Sequence, residues 1–159
     1  MRDGRKTLTT LAALLAISAI AQTAKQDREW ATRVPCEIQT AEGRSLQDMR
    51  WLQGTTPLIS LDQYRSGRAV NADKTATAVL RFAPSATATK WVSVTNYATT
   101  GNAYLVQLPT IGTNTPPAKP WYYTALFFRG GQLYWTGSGK LHIEATTATG
   151  KDGLEWQDI

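Results

Sequence analysis

His142 is the only histidine and Cys36 the only cysteine of the chain, so nucleophilic catalysis would have to be assembled from very few parts. A serine–histidine or cysteine–histidine unit needs its base held in place by a third group. His142 sits on an alternating stretch, Leu141-His142-Ile143-Glu144, that points it to solvent beside Glu144. Ser138 lies between Gly137 and Gly139, but the G-x-S-x-G elbow is absent and the two glycines read as turn residues. Glu37, Glu42, Asp48, Asp62, Asp73 and Glu144 could supply a carboxylate pair for glycoside hydrolysis, yet no local context singles out two of them. Asp73 near Asn71 offers too few oxygens for calcium. One Cys and one His have no zinc spacing, and no glycine loop opens a helix to cradle phosphate. These residues predict a protein that is not an enzyme and carries no cofactor or metal.

Contact chemistry is better supplied. Trp121-Tyr122-Tyr123 and Tyr134-Trp135 put aromatic rings at consecutive positions, and consecutive strand residues point to opposite faces. Trp121, Tyr123 and Phe127 share one face of this strand; Tyr122, Thr124, Leu126 and Phe128 share the other. A strand apolar on both faces is covered twice, by its own domain and by a partner, a sister subunit or the chain's own tail or leader. Trp121, Tyr122, Phe128 and Tyr134 form the candidate contact surface. Trp51, Phe82, Trp91, Tyr104, Tyr123, Phe127 and Trp135 are the expected large core or sheet-face residues.

The elements that must position these residues are short β-runs. Arg33 to Thr40, Gln47 to Gln53, Leu58 to Arg65, Thr77 to Ala83, Lys90 to Tyr97 and Ala103 to Leu108 precede a Gly/Thr/Pro loop over 110–120. Trp121 to Arg129, Gln132 to Thr136 and Lys140 to Ala145 follow it. Ser66-Gly67, Gly101-Asn102 and Gly130-Gly131 are turn dipeptides, and Gly137-Ser138-Gly139 divides the last two runs. About eight short strands with no helices between them predict an all-β fold, a sandwich or barrel and foremost an antiparallel sandwich, with one buried and one wet face per sheet. The expected layout is an apolar leader over 1–24, a connector and first strand over 25–45, the sandwich over 46–146 and a polar tail over 147–159. Cys36, in Val34-Pro35-Cys36-Glu37-Ile38, reads as a small buried hydrophobe.

The leader carries Arg2, Arg5 and Lys6, then an uncharged stretch from Thr7 to Ala24 with Ala19-Ile20-Ala21 before Gln22. This is the layout of a secretory signal peptide. An Ala/Leu-rich assembly helix or an uncleaved membrane anchor also fits the pattern. Net charge is +5, but the basic residues are scattered and form no stripe, so no nucleic-acid partner is expected.

The run Trp51-Leu52-Gln53-Gly54-Thr55-Thr56-Pro57-Leu58-Ile59-Ser60-Leu61 resembles the N-terminal domain of phage baseplate upper proteins. Ser66-Gly67-Arg68-Ala69-Val70 and the strand Thr77 to Phe82 match that family's second turn and following strand. Trp121 to Leu126, Gly130-Gly131 and Gly139 to Ile143 match its closing strands, so the likeness covers residues 46–146. Thr55 stands where the family carries an acidic turn residue. The resemblance implies an immunoglobulin-like sandwich that attaches parts of a tail or baseplate through protein–protein contacts. Its partners would be other virion proteins or copies of itself, and its location the virion. The alternative is an exported, periplasmic or secreted binding domain that stacks glycans on exposed Trp and Tyr.

Overall fold

The structure is a computed structural model that describes residues 23–39, 44–112 and 120–145. Residues 1–22 of the leader and the tail from 146 onward lie outside the described residues. So does most of the loop over 110–120. A helix, α1, runs through residues 23–30 and continues the charged connector rather than presenting an apolar surface all round. No described helix is long and apolar enough to cross a membrane.

Eleven strands follow: β1 (Thr32–Glu37), β2 (Arg44–Ser45), β3 (Met49–Leu52), β4 (Leu58–Arg65), β5 (Arg68–Ala69), β6 (Thr77–Ala83), β7 (Val92–Thr95), β8 (Ala98–Thr100), β9 (Ala103–Gln107), β10 (Trp121–Arg129) and β11 (Gln132–Glu144). They build two sheets. One has the order β1-β4-β9-β8, with β5 also paired to β4; the other has the order β2-β11-β10-β6-β7, with β3 also paired to β11. The all-β, two-sheet architecture is as the alternation predicts. The sheets are mixed rather than antiparallel, however, because β1 runs parallel to β4, and β2 and β3 run parallel to β11. Turn residues report only hairpins between sequence neighbours; these parallel pairs join strands that no short turn connects.

The core lies between the sheets. Phe127 of β10 stacks on Trp135 of β11 with ring centroids 4.9 Å apart, and meets Tyr104 of the opposite sheet at 5.3 Å. Trp51 meets Phe82 edge-on at 5.1 Å, extending the aromatic layer toward Trp121. The indole N–H groups are satisfied as burial requires: Trp135 donates to the Glu37 carbonyl at 3.0 Å and Trp51 to the Thr55 carbonyl at 3.1 Å. Trp91 is the exception among the expected core residues. It precedes β7, just outside the ladder, and is 49% exposed.

Strand β4 departs from simple alternation, since Ser60, Asp62 and Gln63 are buried along with Ile59 and Leu61. The helix supplies the cover. Arg28 of α1 donates to Asn102 and reaches Asp62 at 3.4 Å, while the Ser60 hydroxyl also donates to Asp62. Tyr97 donates to Asp27 at 2.7 Å. Thus the outer face of β4 is covered by a polar contact layer, and a buried carboxylate is matched by a guanidinium.

Ser66-Gly67 and Gly130-Gly131 form two-residue hairpin turns with positive φ at both positions, 52° and 75° in the first, 56° and 76° in the second. Gly137 and Gly139 are a correction to the turn reading, for both lie inside the continuous strand β11. Their role is close approach. A Cβ on Gly137 would fall 2.5 Å from the Trp135 ring, and one on Gly139 would fall 2.7 Å from the Tyr123 ring. Tyr123 cannot move aside easily, because it is buried and its hydroxyl donates to the Gln47 carbonyl. Gly139→Ala should therefore destabilise the fold by about 1–3 kcal/mol, the usual cost of overpacking. Thermal or urea unfolding of the variant against the parent protein measures it.

Candidate functional site

The second sheet has an outer face built from alternate residues of its strands. Tyr122, Thr124, Leu126 and Phe128 of β10 oppose Ala83, Arg81, Val79 and Thr77 of β6. On the other side of β10, Tyr122, Thr124 and Leu126 oppose Lys140, Ser138 and Thr136 of β11. Ser93 of β7 continues the Arg81 row. This row of Ser93, Arg81, Thr124 and Ser138 crosses four strands and carries one cation among hydroxyls.

A cavity of about 290 Å³ opens on this face. Arg81, Thr124 and Leu126 line its floor, Tyr122 and Trp91 line its sides, and Ser85, Ala86 and Ala88 from the β6–β7 connection complete the wall. Pro84 ends β6, and the chain then turns at Ser85, whose carbonyl accepts from the Ala88 N–H at 3.3 Å. Small side chains there leave the space open. The Arg81 guanidinium lies 5.2 Å from the centre of the Trp91 ring, a cation–π distance. Its Nε is buried without a hydrogen-bond partner. Thr124 and Ser138 share a hydrogen bond of 3.0 Å. Among the described residues, no carboxylate or side-chain amide lines the cavity.

The four expected contact residues separate. Tyr122 and Phe128 lie half-buried on the outer face. Trp121 is a correction: it is 2% exposed and belongs to the core, on the inward face it shares with Tyr123 and Phe127. Tyr134 is a second correction. The β10–β11 register shifts between Phe127 and Phe128, and Tyr134 at that bulge packs at the core margin, 6.1 Å from Phe127. Its hydroxyl accepts from Gln63 at 3.0 Å, and Arg129 lies 4.8 Å over its ring. Tyr134 therefore joins the sheets instead of facing outward. Sequence reasoning missed Arg81 and Trp91 as neighbours. The signal available was a lone Arg among apolar residues of β6, on the same face as Val79 and Ala83.

The other chemistry-bearing residues are occupied structurally. His142 is exposed and lies 3.0 Å from Asp48, while Glu144 pairs with Arg50 at 2.6 Å. Cys36 is buried, and burial followed by the nearby Asp62 charge pushes its thiol pKa up. Asp73 accepts from the Thr75 hydroxyl at 2.7 Å and amide at 2.8 Å, and from Arg129 at 3.0 Å. The Thr75 bonds, ahead of Arg129, hold its carboxyl below the usual range. No group of three metal-ligating side chains occurs among the described residues. No protein-family model matches the sequence, and no curated protein matches it.

Two outcomes follow. A thiol reagent at mildly alkaline pH should leave Cys36 unmodified in the folded protein and react fully once it is unfolded, because only thiolate attacks. A depressed carboxylate pKa means that the Asp73 contacts persist as pH falls below the ordinary Asp range and are lost through the lowered value. Carbon-detected NMR titration should show Thr75→Ala raising the Asp73 pKa more than Arg129→Gln does.

Proposed function

We propose that this protein is a non-catalytic docking module of a phage or prophage virion, a tail or baseplate component that works through protein–protein contacts. The single observation that carries the reading is the outer face of β10. Tyr122, Leu126 and Phe128 lie along it, with exposed Leu133 beside Phe128 in the β10–β11 register. An apolar and aromatic strip of this kind at the centre of a sheet suits a second protein surface. The all-β, two-sheet architecture supports the coarser part of what the baseplate resemblance implies, a sandwich, although both sheets include parallel pairs. On this reading, the leader or the tail serves contacts with neighbouring subunits, and Met1 is retained.

The partner is another virion protein or a second copy of the chain. Light scattering of the full-length protein, alone and coexpressed with tail proteins encoded beside it, tests this directly. A defined assembly is expected, and Phe128→Ser combined with Leu133→Ser should weaken it at least tenfold, about 1.4 kcal/mol. A monodisperse monomer at high concentration that joins no coexpressed tail protein would overturn the reading. So would a mature N-terminus at Gln22, which marks export.

A further inference from the structure

Resting on that docking reading, we infer that the Arg81 cavity receives an acidic side chain, Asp or Glu, from the protein that docks on this face. Four observations converge on it. Arg81 is the one charged side chain among the described residues that line the cavity, and no acid stands among them. The Arg81 Nε is buried and without a partner, so no described group offsets the desolvation of this guanidinium. Trp91 lies against the guanidinium at 5.2 Å, which keeps the fork from swinging into solvent. Finally, Arg, Trp and Tyr are the residue types that dominate binding energy at protein interfaces, and here all three line one cavity.

The walls select the kind of carboxylate. Ala83, Ala86, Ala88 and Leu126 are apolar, and the polar complement besides Arg81 consists of hydroxyls from Ser85, Tyr122, Thr124 and Ser138. A neutral sugar ring carries donors and acceptors on nearly every carbon and leaves the guanidinium charge uncompensated, which a carboxylate does not. An acidic side chain presents two acceptor oxygens on an aliphatic stem. Its carboxylate matches the guanidinium fork, and its methylenes match the alanine wall. The net charge of +5 favours approach of an acidic surface in the same sense.

The test is an NMR titration of the full-length protein with acetyl-Ala-Glu-Ala-amide and with acetyl-Ala-Gln-Ala-amide. The readouts are the Trp91 indole N–H and the Arg81 Nε–H resonances. The Glu peptide should shift both saturably and bind at least tenfold tighter than the Gln peptide. Arg81→Gln should abolish the difference. Trp91→Ala, at an exposed position outside the core, should weaken Glu-peptide binding while leaving the dispersed spectrum of the folded protein intact. Equal affinity for the two peptides, or undiminished Glu-peptide binding by Arg81→Gln, overturns the inference. Tighter binding of glucuronate than of the Glu peptide also overturns it, in favour of an acidic sugar. If the peptides do not discriminate but Phe128→Ser with Leu133→Ser still weakens assembly, the carboxylate site alone fails. If assembly ignores those two substitutions, the docking face itself fails.

Discussion

The contact between Phe127 and its neighbours Trp135 and Tyr104 is the constraint on which the rest of the molecule depends. Trp135 lies beside Phe127 in the same sheet, and Tyr104 faces it from the other. Large rings cannot interdigitate between two sheets unless neighbouring positions are small, because interiors pack near crystal density. Gly137 and Gly139 in β11 meet that need, lying under Trp135 and Tyr123. Once Phe127 is fixed inward, strict alternation along β10 fixes Phe128, Leu126, Thr124 and Tyr122 outward. The outer surface is thus a consequence of the core.

The two sheets treat their outer faces differently. Helix α1 covers the outer face of β4 in the first sheet, where Arg28 meets the buried Asp62 and Asn102. Removing a guanidinium from such a pair strands a charge, so this layer is a closed one. The β2–β7 sheet has no such roof among the described residues. Its counterpart to Arg28 is Arg81, a cation of the same type, held on the floor of an open cavity against Trp91, with no acid among the described lining residues. One arginine is matched by a carboxylate; the other rests against an aromatic ring.

Bulges and strand ends then decide which aromatic rings belong to which surface. The register shift after Phe127 carries Tyr134 to the seam between the sheets, where Gln63 and Arg129 engage it. Trp91, one residue before β7, keeps the outward parity of Ser93 and lies against Arg81. The first outcome comes from a one-residue departure from regular pairing; the second follows the alternation past the end of the strand.

Local patterning alone determined the all-β class, the bounds of β4 and β6, the hairpins at Ser66-Gly67 and Gly130-Gly131, and the inward set of Trp51, Phe82, Tyr123 and Phe127. These are period-two and turn-dipeptide properties, which neighbouring residues specify by themselves. The tertiary structure decided the rest. Parallel pairing of β1 with β4 and of β2 and β3 with β11 joins segments distant in the chain, where no turn residue marks the partner. Gly137 and Gly139 look like turn residues until the rings beneath them are known. Trp121 and Tyr134 carry the same chemistry as Tyr122, yet only packing across the sandwich and the bulge in β11 fix which of them meets solvent. Arg81 gained its setting in the same way, through Trp91 just ahead of the next strand and a cavity with no acid among the described residues that line it.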